Sequence, residues 1–194
     1  MDHAVDERAS MKSSMERCFR RWAAVSARLG SPELPPWPWD PDIEPFIWVG
    51  APTASGWCTW RPVPKTRDAG LAGAAPDLPP MHPSLDAYFN SFWFCTLEGP
   101  AKGRDHAVTL DGVMPGIELD AFLRNARSYA RAHGGRLDHV PIGLEAVSDR
   151  LLVVDNGSGA VMTEDWNREG TPFFEPVAPS LVALIDVLHA VVEP

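Results

Sequence analysis

Leu144-Glu145-Ala146-Val147-Ser148-Asp149-Arg150-Leu151-Leu152-Val153-Val154-Asp155-Asn156-Gly157-Ser158-Gly159-Ala160-Val161-Met162-Thr163-Glu164-Asp165 is the stretch that decides the fold. Three short apolar runs are separated by Ser148-Asp149 and by Asn156-Gly157-Ser158-Gly159. These separators are turn formers, so the stretch predicts a three-stranded antiparallel meander with two tight turns. It holds no residue set that looks like a catalyst. A sheet without chemistry points to a protein that works by its surface.

Outward from the meander, apolar residues recur at helical spacing in four places. Met11, Met15, Cys18, Phe19, Trp22, Val25 and Leu29 predict an amphipathic helix over 6–29, stopped by Gly30 and Pro32. Leu85, Tyr88, Phe89 and Phe92 predict a short helix after Pro83, and Leu119, Phe122, Leu123, Ala126, Tyr129 and Ala130 a long one over 117–133, stopped by Gly134-Gly135. Leu181, Leu184, Ile185, Leu188 and Val191 mark a last helix after Pro179. Strand patterns fall at 46–49, 56–63, 93–97 and 106–110, the last two around a Gly99–Gly103 turn. Residues 31–45 read as a Pro/Trp-rich extended connector whose Trp37 and Trp39 rings pack onto the domain, and 64–80 as a surface loop. Phe173-Phe174 falls in a loop. Hairpin-like clusters of strands between helices predict an α+β fold: a single mostly antiparallel sheet with helices on one side and at the ends.

At 194 residues the chain favours one domain over 1–194, large enough to bury roughly 70% of its unfolded surface without a staple. Its net charge of −9 repels phosphate backbones and disfavours nucleic acid as a partner. The same charge suits a partner with a basic surface. Cys18, Cys58 and Cys95 are odd in number and lack CxxC spacing, so buried free thiols in a reducing cytosol are expected. The charged start, from Met1 to Arg8, has no signal-peptide pattern, and no apolar run is long enough to span a membrane. A cytoplasmic location follows as the expectation.

Candidate chemistry is sparse. The Asn156–Gly159 loop runs on into a strand pattern instead of a helix, so it reads as a hairpin turn and not as a phosphate cradle or nucleophile elbow. The six histidines are scattered. His133 and His139 straddle the Gly134-Gly135 turn and read as surface or helix-capping groups; with Asp138 they form the nearest thing to a metal set. No cofactor is expected. Glu98, Glu164 and Asp165 lie at strand ends. They are open to acid–base work, but also to anchoring basic residues of a partner, with Trp57, Trp60 and Trp166 as apolar anchors.

Six segments carry a resemblance. Gly56-Trp57-Cys58-Thr59-Trp60-Arg61-Pro62-Val63-Pro64, His82-Pro83-Ser84-Leu85-Asp86-Ala87-Tyr88-Phe89, Leu119-Asp120-Ala121-Phe122, Pro141-Ile142-Gly143-Leu144-Glu145-Ala146, the hairpin within 151–164, and the helix within 181–188 follow in order the segments of the Syd family of SecY-interacting proteins. The likeness runs over roughly Trp48 to Val192. The chain thus resembles a divergent member of that family, within the SUKH superfamily. The resemblance implies an α+β fold whose concave sheet face meets partners, and no catalysis. It implies an immunity protein that neutralises a bacterial toxin by direct binding, or else a peripheral inner-membrane protein that docks on the cytosolic loops of SecY.

Overall fold

The computed structural model describes residues 2–28, 30, 34–100, 106–165 and 172–188. Its elements run in the order α1 (Asp2–Arg28), β1 (Trp37–Pro38), a 3-10 turn (Pro45–Ile47), β2 (Trp48–Val49), β3 (Trp57–Trp60), β4 (Val63–Pro64), α2 (Leu71–Ala74), α3 (Pro83–Phe89), β5 (Phe92–Pro100), β6 (Ala107–Val113), α4 (Asp120–Ala132), β7 (His139–Glu145), β8 (Leu151–Asp155), β9 (Val161–Asp165), β10 (Phe173–Ala178) and α5 (Leu181–Val187). The class is α+β, and every strand pair is antiparallel.

Strands β4 to β10 follow one another across a seven-stranded sheet in chain order. The meander of β7, β8 and β9 fills three of its inner places. Period-two alternation gives that sheet two different faces. One cross-strand row reads Leu97, Leu110, Gly143, Leu152, Thr163 and Glu175. Leu97, Leu110 and Leu152 in it are fully buried. The adjoining row, on the other face, reads Glu98, Thr109, Leu144, Leu151, Glu164 and Phe174. There Glu98 and Leu144 are exposed, and α4 covers the β9 end. A bulge between Pro141 and Gly143 holds this register, and a Cβ on Gly143 would meet the Thr109 carbonyl oxygen at 1.9 Å. Only glycine lets the two backbones approach so closely.

The first helix keeps its stripe. Met11, Met15, Cys18, Phe19 and Trp22 are buried, each contributing roughly 1.5–3 kcal/mol by leaving water. Polar clamps fix its neighbours. Arg8 reaches Asp86 of α3, while Ser14 and Arg17 reach Asp186 of α5. Arg21 donates to the carbonyls of Ile185 and Leu188, which the end of α5 leaves without helical partners. In α4, Phe122, Leu123, Ala126, Tyr129 and Ala130 are buried as their spacing predicts.

Several local expectations change. The 31–45 connector supplies β1, so a small three-stranded sheet in the order β1-β3-β2 accompanies the main sheet. Its Trp37 packs on the core as expected, whereas Trp39 stands 46% exposed. The strand expected at 46–49 opens as a 3-10 turn because Pro45 starts it, and the run at 56–63 splits at Arg61-Pro62 so that Val63–Pro64 joins the main sheet instead. The loop at 64–80 contains α2 and buries Lys65, Leu71 and Ala75. Phe173-Phe174 begins β10, an edge strand, which is where Pro176 is tolerated. Leu29, Pro32, residues 101–103 of the Gly99–Gly103 turn, Trp166 and Val191 lie outside the described residues.

The Asn156–Gly159 loop is a packed turn between β8 and β9. The Asp155 carboxylate accepts from the Gly157 and Ser158 amides, and Asn156 bonds Pro80, His82 and Leu137 backbone groups. Gly159 sits at φ +76, and a Cβ there would lie 2.4 Å from the His82 ring. We therefore expect Gly159→Ala to cost about 2–4 kcal/mol, and Gly157→Ala, whose Cβ meets nothing closer than 3.5 Å, about 1 kcal/mol or less, in urea melts. Equal costs would overturn this account of the turn.

Candidate functional site

The residues expected to meet a partner do not share one surface. Trp57 is 44% exposed on β3, but Trp60 is 1% exposed. Residues three apart in a strand point to opposite faces, so one of the pair had to turn inward. The Trp60 indole donates to the Pro35 carbonyl at 2.9 Å and packs edge-on against Phe19. It is core, not anchor. Glu98 is exposed, but Glu164 is fully buried and Asp165 lies beside Arg150 at 3.7 Å. Glu98 on β5 and Glu164 on β9 are four strands apart, roughly 19 Å at about 4.8 Å per strand. The three carboxylates therefore form no acid–base pair. Trp166 lies outside the described residues.

The small sheet gathers an exposed apolar face instead. Register places Pro38 opposite Trp57 and Val49 opposite Thr59, all on its outer side. Trp37, Cys58, Trp48 and Trp60 take the inner side. Trp57 and Val49 are 44% and 41% exposed, with Trp39 and Phe46 also exposed nearby in the chain. The rim is acidic: Asp40 and Asp42 follow Trp39, and Glu44 is held by Arg67 at 2.6 Å.

Beneath α4 lies a buried polar cluster whose members are far apart in the chain. His133 Nδ1 faces the Tyr129 carbonyl at 2.9 Å, and its Nε2 faces the Glu164 carboxyl at 3.0 Å. A carbonyl only accepts, so Nδ1 carries the hydrogen of that contact. Burial first, then Glu164, pushes the Tyr129 hydroxyl pKa up. His139 stacks on Phe174 at 3.9 Å and faces Asp155; burial lowers its pKa against the pull of that carboxylate. Asp138 pairs with Arg136. Among the described residues no three His, Cys, Asp or Glu side chains converge as a metal site requires. His133 is thus a link between α4 and β9, beyond the capping role its sequence position indicates.

A further buried group, Lys65, escaped the sequence reading. Lys65 places its ammonium 3.6 Å from the centre of the Trp93 ring and 3.7 Å from Glu118. Burial lowers its pKa to about 8, partly offset by Glu118. The three cysteines are free and buried, and burial raises the Cys18 thiol to about 11. None is a ready nucleophile. No described helix is long and apolar enough to cross a membrane. Compared with known proteins, the chain matches no family model and no curated sequence.

Two outcomes follow from this geometry. Glu164→Lys should cost about 3–5 kcal/mol by leaving a buried charge against His133, whereas Glu98→Lys, at an exposed position, should stay within about 0.5 kcal/mol. Equal denaturation midpoints for the two would contradict the placement. For Lys65, both states are protonated below pH 8, so the cost of burying the cation is then fully present. Between about 8 and 10.5 the native state gives up the proton first, and stability rises with pH. Lys65→Met should raise stability at neutral pH by roughly 1–3 kcal/mol and remove that rise; melts recorded across this range would show it.

Proposed function

We propose that this chain is a non-catalytic protein-binding domain of the Syd-like SUKH kind, acting as an immunity protein that masks a toxin by direct contact. The observation that carries this reading is the outer face of the small sheet. Alternate residues on β3 are fully committed to the core, yet Trp57 projects into solvent beside Val49 and Pro38. An exposed tryptophan with apolar neighbours is the usual anchor of a binding surface, because burying it against a partner releases a large apolar area. The acidic rim and the net charge of −9 favour a partner with a basic surface and speed its approach. The ordered sequence likeness to the Syd family supports the same class.

The test is whether a toxin domain is encoded beside this protein and whether this chain binds it and protects against it. Co-expression should rescue growth, and Trp57→Ala should weaken binding by about thirtyfold or more while leaving the thermal midpoint unchanged. Unchanged affinity in Trp57→Ala would remove this face as the contact. Absence of protection, with capture of SecY cytosolic loops at low salt instead, would replace the immunity reading.

A further inference from the structure

A cavity of about 350 Å³ opens between the β5–β6 face and the start of α4, with Trp37 as one wall. That is within the range of about 300–1,000 Å³ typical of small-ligand sites. Asp111 also lines a second cavity of about 340 Å³, bounded by Tyr129, Leu144 and Leu151, and so stands where the two meet under α4.

The polar groups in the first cavity are unusual in what they lack. Thr96 and Asp111 are direct cross-strand partners, so their side chains share the face that α4 overlies. Thr96 is 7% exposed, and its hydroxyl has no hydrogen-bond partner among the described residues. Such a group costs free energy unless something binds it. Among the described residues the Asp111 carboxyl makes no ion pair, although Arg124 of α4 lines the same cavity and the Asp111 backbone carbonyl accepts from Tyr88. Glu118 also lines the cavity but is already committed to Lys65 and to the Gly116 amide. Apolar walls come from Trp37, Met114, Ile117 and Phe122.

We infer that this cleft is a binding site for an alkylammonium group: a cation with several donors on an apolar stem, seated on the Asp111 carboxylate and the Thr96 hydroxyl. An ammonium has three donors and no acceptor, which matches a carboxylate and a hydroxyl oxygen converging from one face. The stem lies along the apolar walls, as lysine stems do on protein surfaces. Burial pushes the Asp111 carboxyl pKa up. A bound ammonium would supply a counter-charge. The group can come from a free amine or from a lysine side chain of a partner. This site is independent of the Trp57 face and stands whether or not that face binds a protein.

The experiment titrates the full chain with n-pentylammonium chloride, with N-acetyl-lysine N-methylamide, and with n-pentanol as the neutral control, following the amide NMR shifts of Thr96, Asp111 and Gly112. Saturable binding of an ammonium with a Kd of about 1–10 mM is expected, and none of n-pentanol at this site. Tighter binding of the blocked lysine identifies a side-chain source, and tighter binding of the free amine a small molecule. Asp111→Asn should weaken binding about tenfold or more, and Thr96→Val about threefold. Asp111→Asn should also melt at or above the wild-type temperature at neutral pH. An acid whose pKa folding raises costs the native state stability once the pH exceeds its unfolded value, and the amide removes that cost. If the amide variant fails to fold, Thr96→Val, close in shape, decides the matter. No saturable shift, equal response to n-pentanol, or unchanged binding in folded Asp111→Asn would overturn the site.

Discussion

The register of the β6–β7–β8 ladder is the constraint on which the molecule depends. Gly143 lies so close to the Thr109 carbonyl that no side chain fits, and the bulge beside it sets which residues of β7 face inward. A slip of one residue would send every side chain on the strand to the other face. On β7, Val140 would then leave the core, and Leu144, exposed in the native register, would enter it. The Gly159 turn, wedged against His82, fixes the same register at the other end of β8. Both sheet faces, and the cavities on one of them, follow from these two glycine positions.

Buried charge in this fold is handled in three ways. One oxygen of Glu164 is met by a histidine from the helix above it. Lys65 is held by an aromatic face and a carboxylate, at a net cost that its lowered pKa records. Asp111 makes no ion pair among the described residues. The first two tie elements together: α4 to β9, and the segment after β4 to the turn before α4. The third ties nothing, and an uncompensated acid in a desolvated position is more often found where a ligand completes the charge balance than where only stability is at stake.

Helices were legible because their stripes are local. Met11 to Trp22, Phe122 to Ala130 and Leu181 to Leu188 each declare an inward face within a few turns, and each face is buried. The meander was legible for the same reason, with alternation and turn residues side by side. Short elements broken by proline were not. β10 hides behind Pro176 and Pro179, β1 inside a proline-rich connector, and α2 is a single turn of Leu, Ala and Gly. The candidate site was least legible. Glu164 looked like a surface carboxylate because the histidine that buries it is 31 residues away in the chain. Thr96 and Asp111 meet only through a strand pairing. Strand parity alone would have separated Trp57 from Trp60, and that signal lay in the sequence.

The small sheet joins the two surfaces argued above. Its outer side presents Trp57 and Val49 to solvent, while its inner side turns Trp37 toward the Asp111 cleft and Trp60 into the core. A sheet of three strands, two of them only two residues long, gains little from its own ladder. It is held in place by its inner tryptophans. The aromatic content of residues 37–60 therefore follows from two needs: an inner set that fastens the sheet beside the cleft, and an outer residue left over for contact. A partner that covered Trp57 would rest on a platform whose far side is a wall of the cleft, so a lysine reaching around that edge would find Asp111 next.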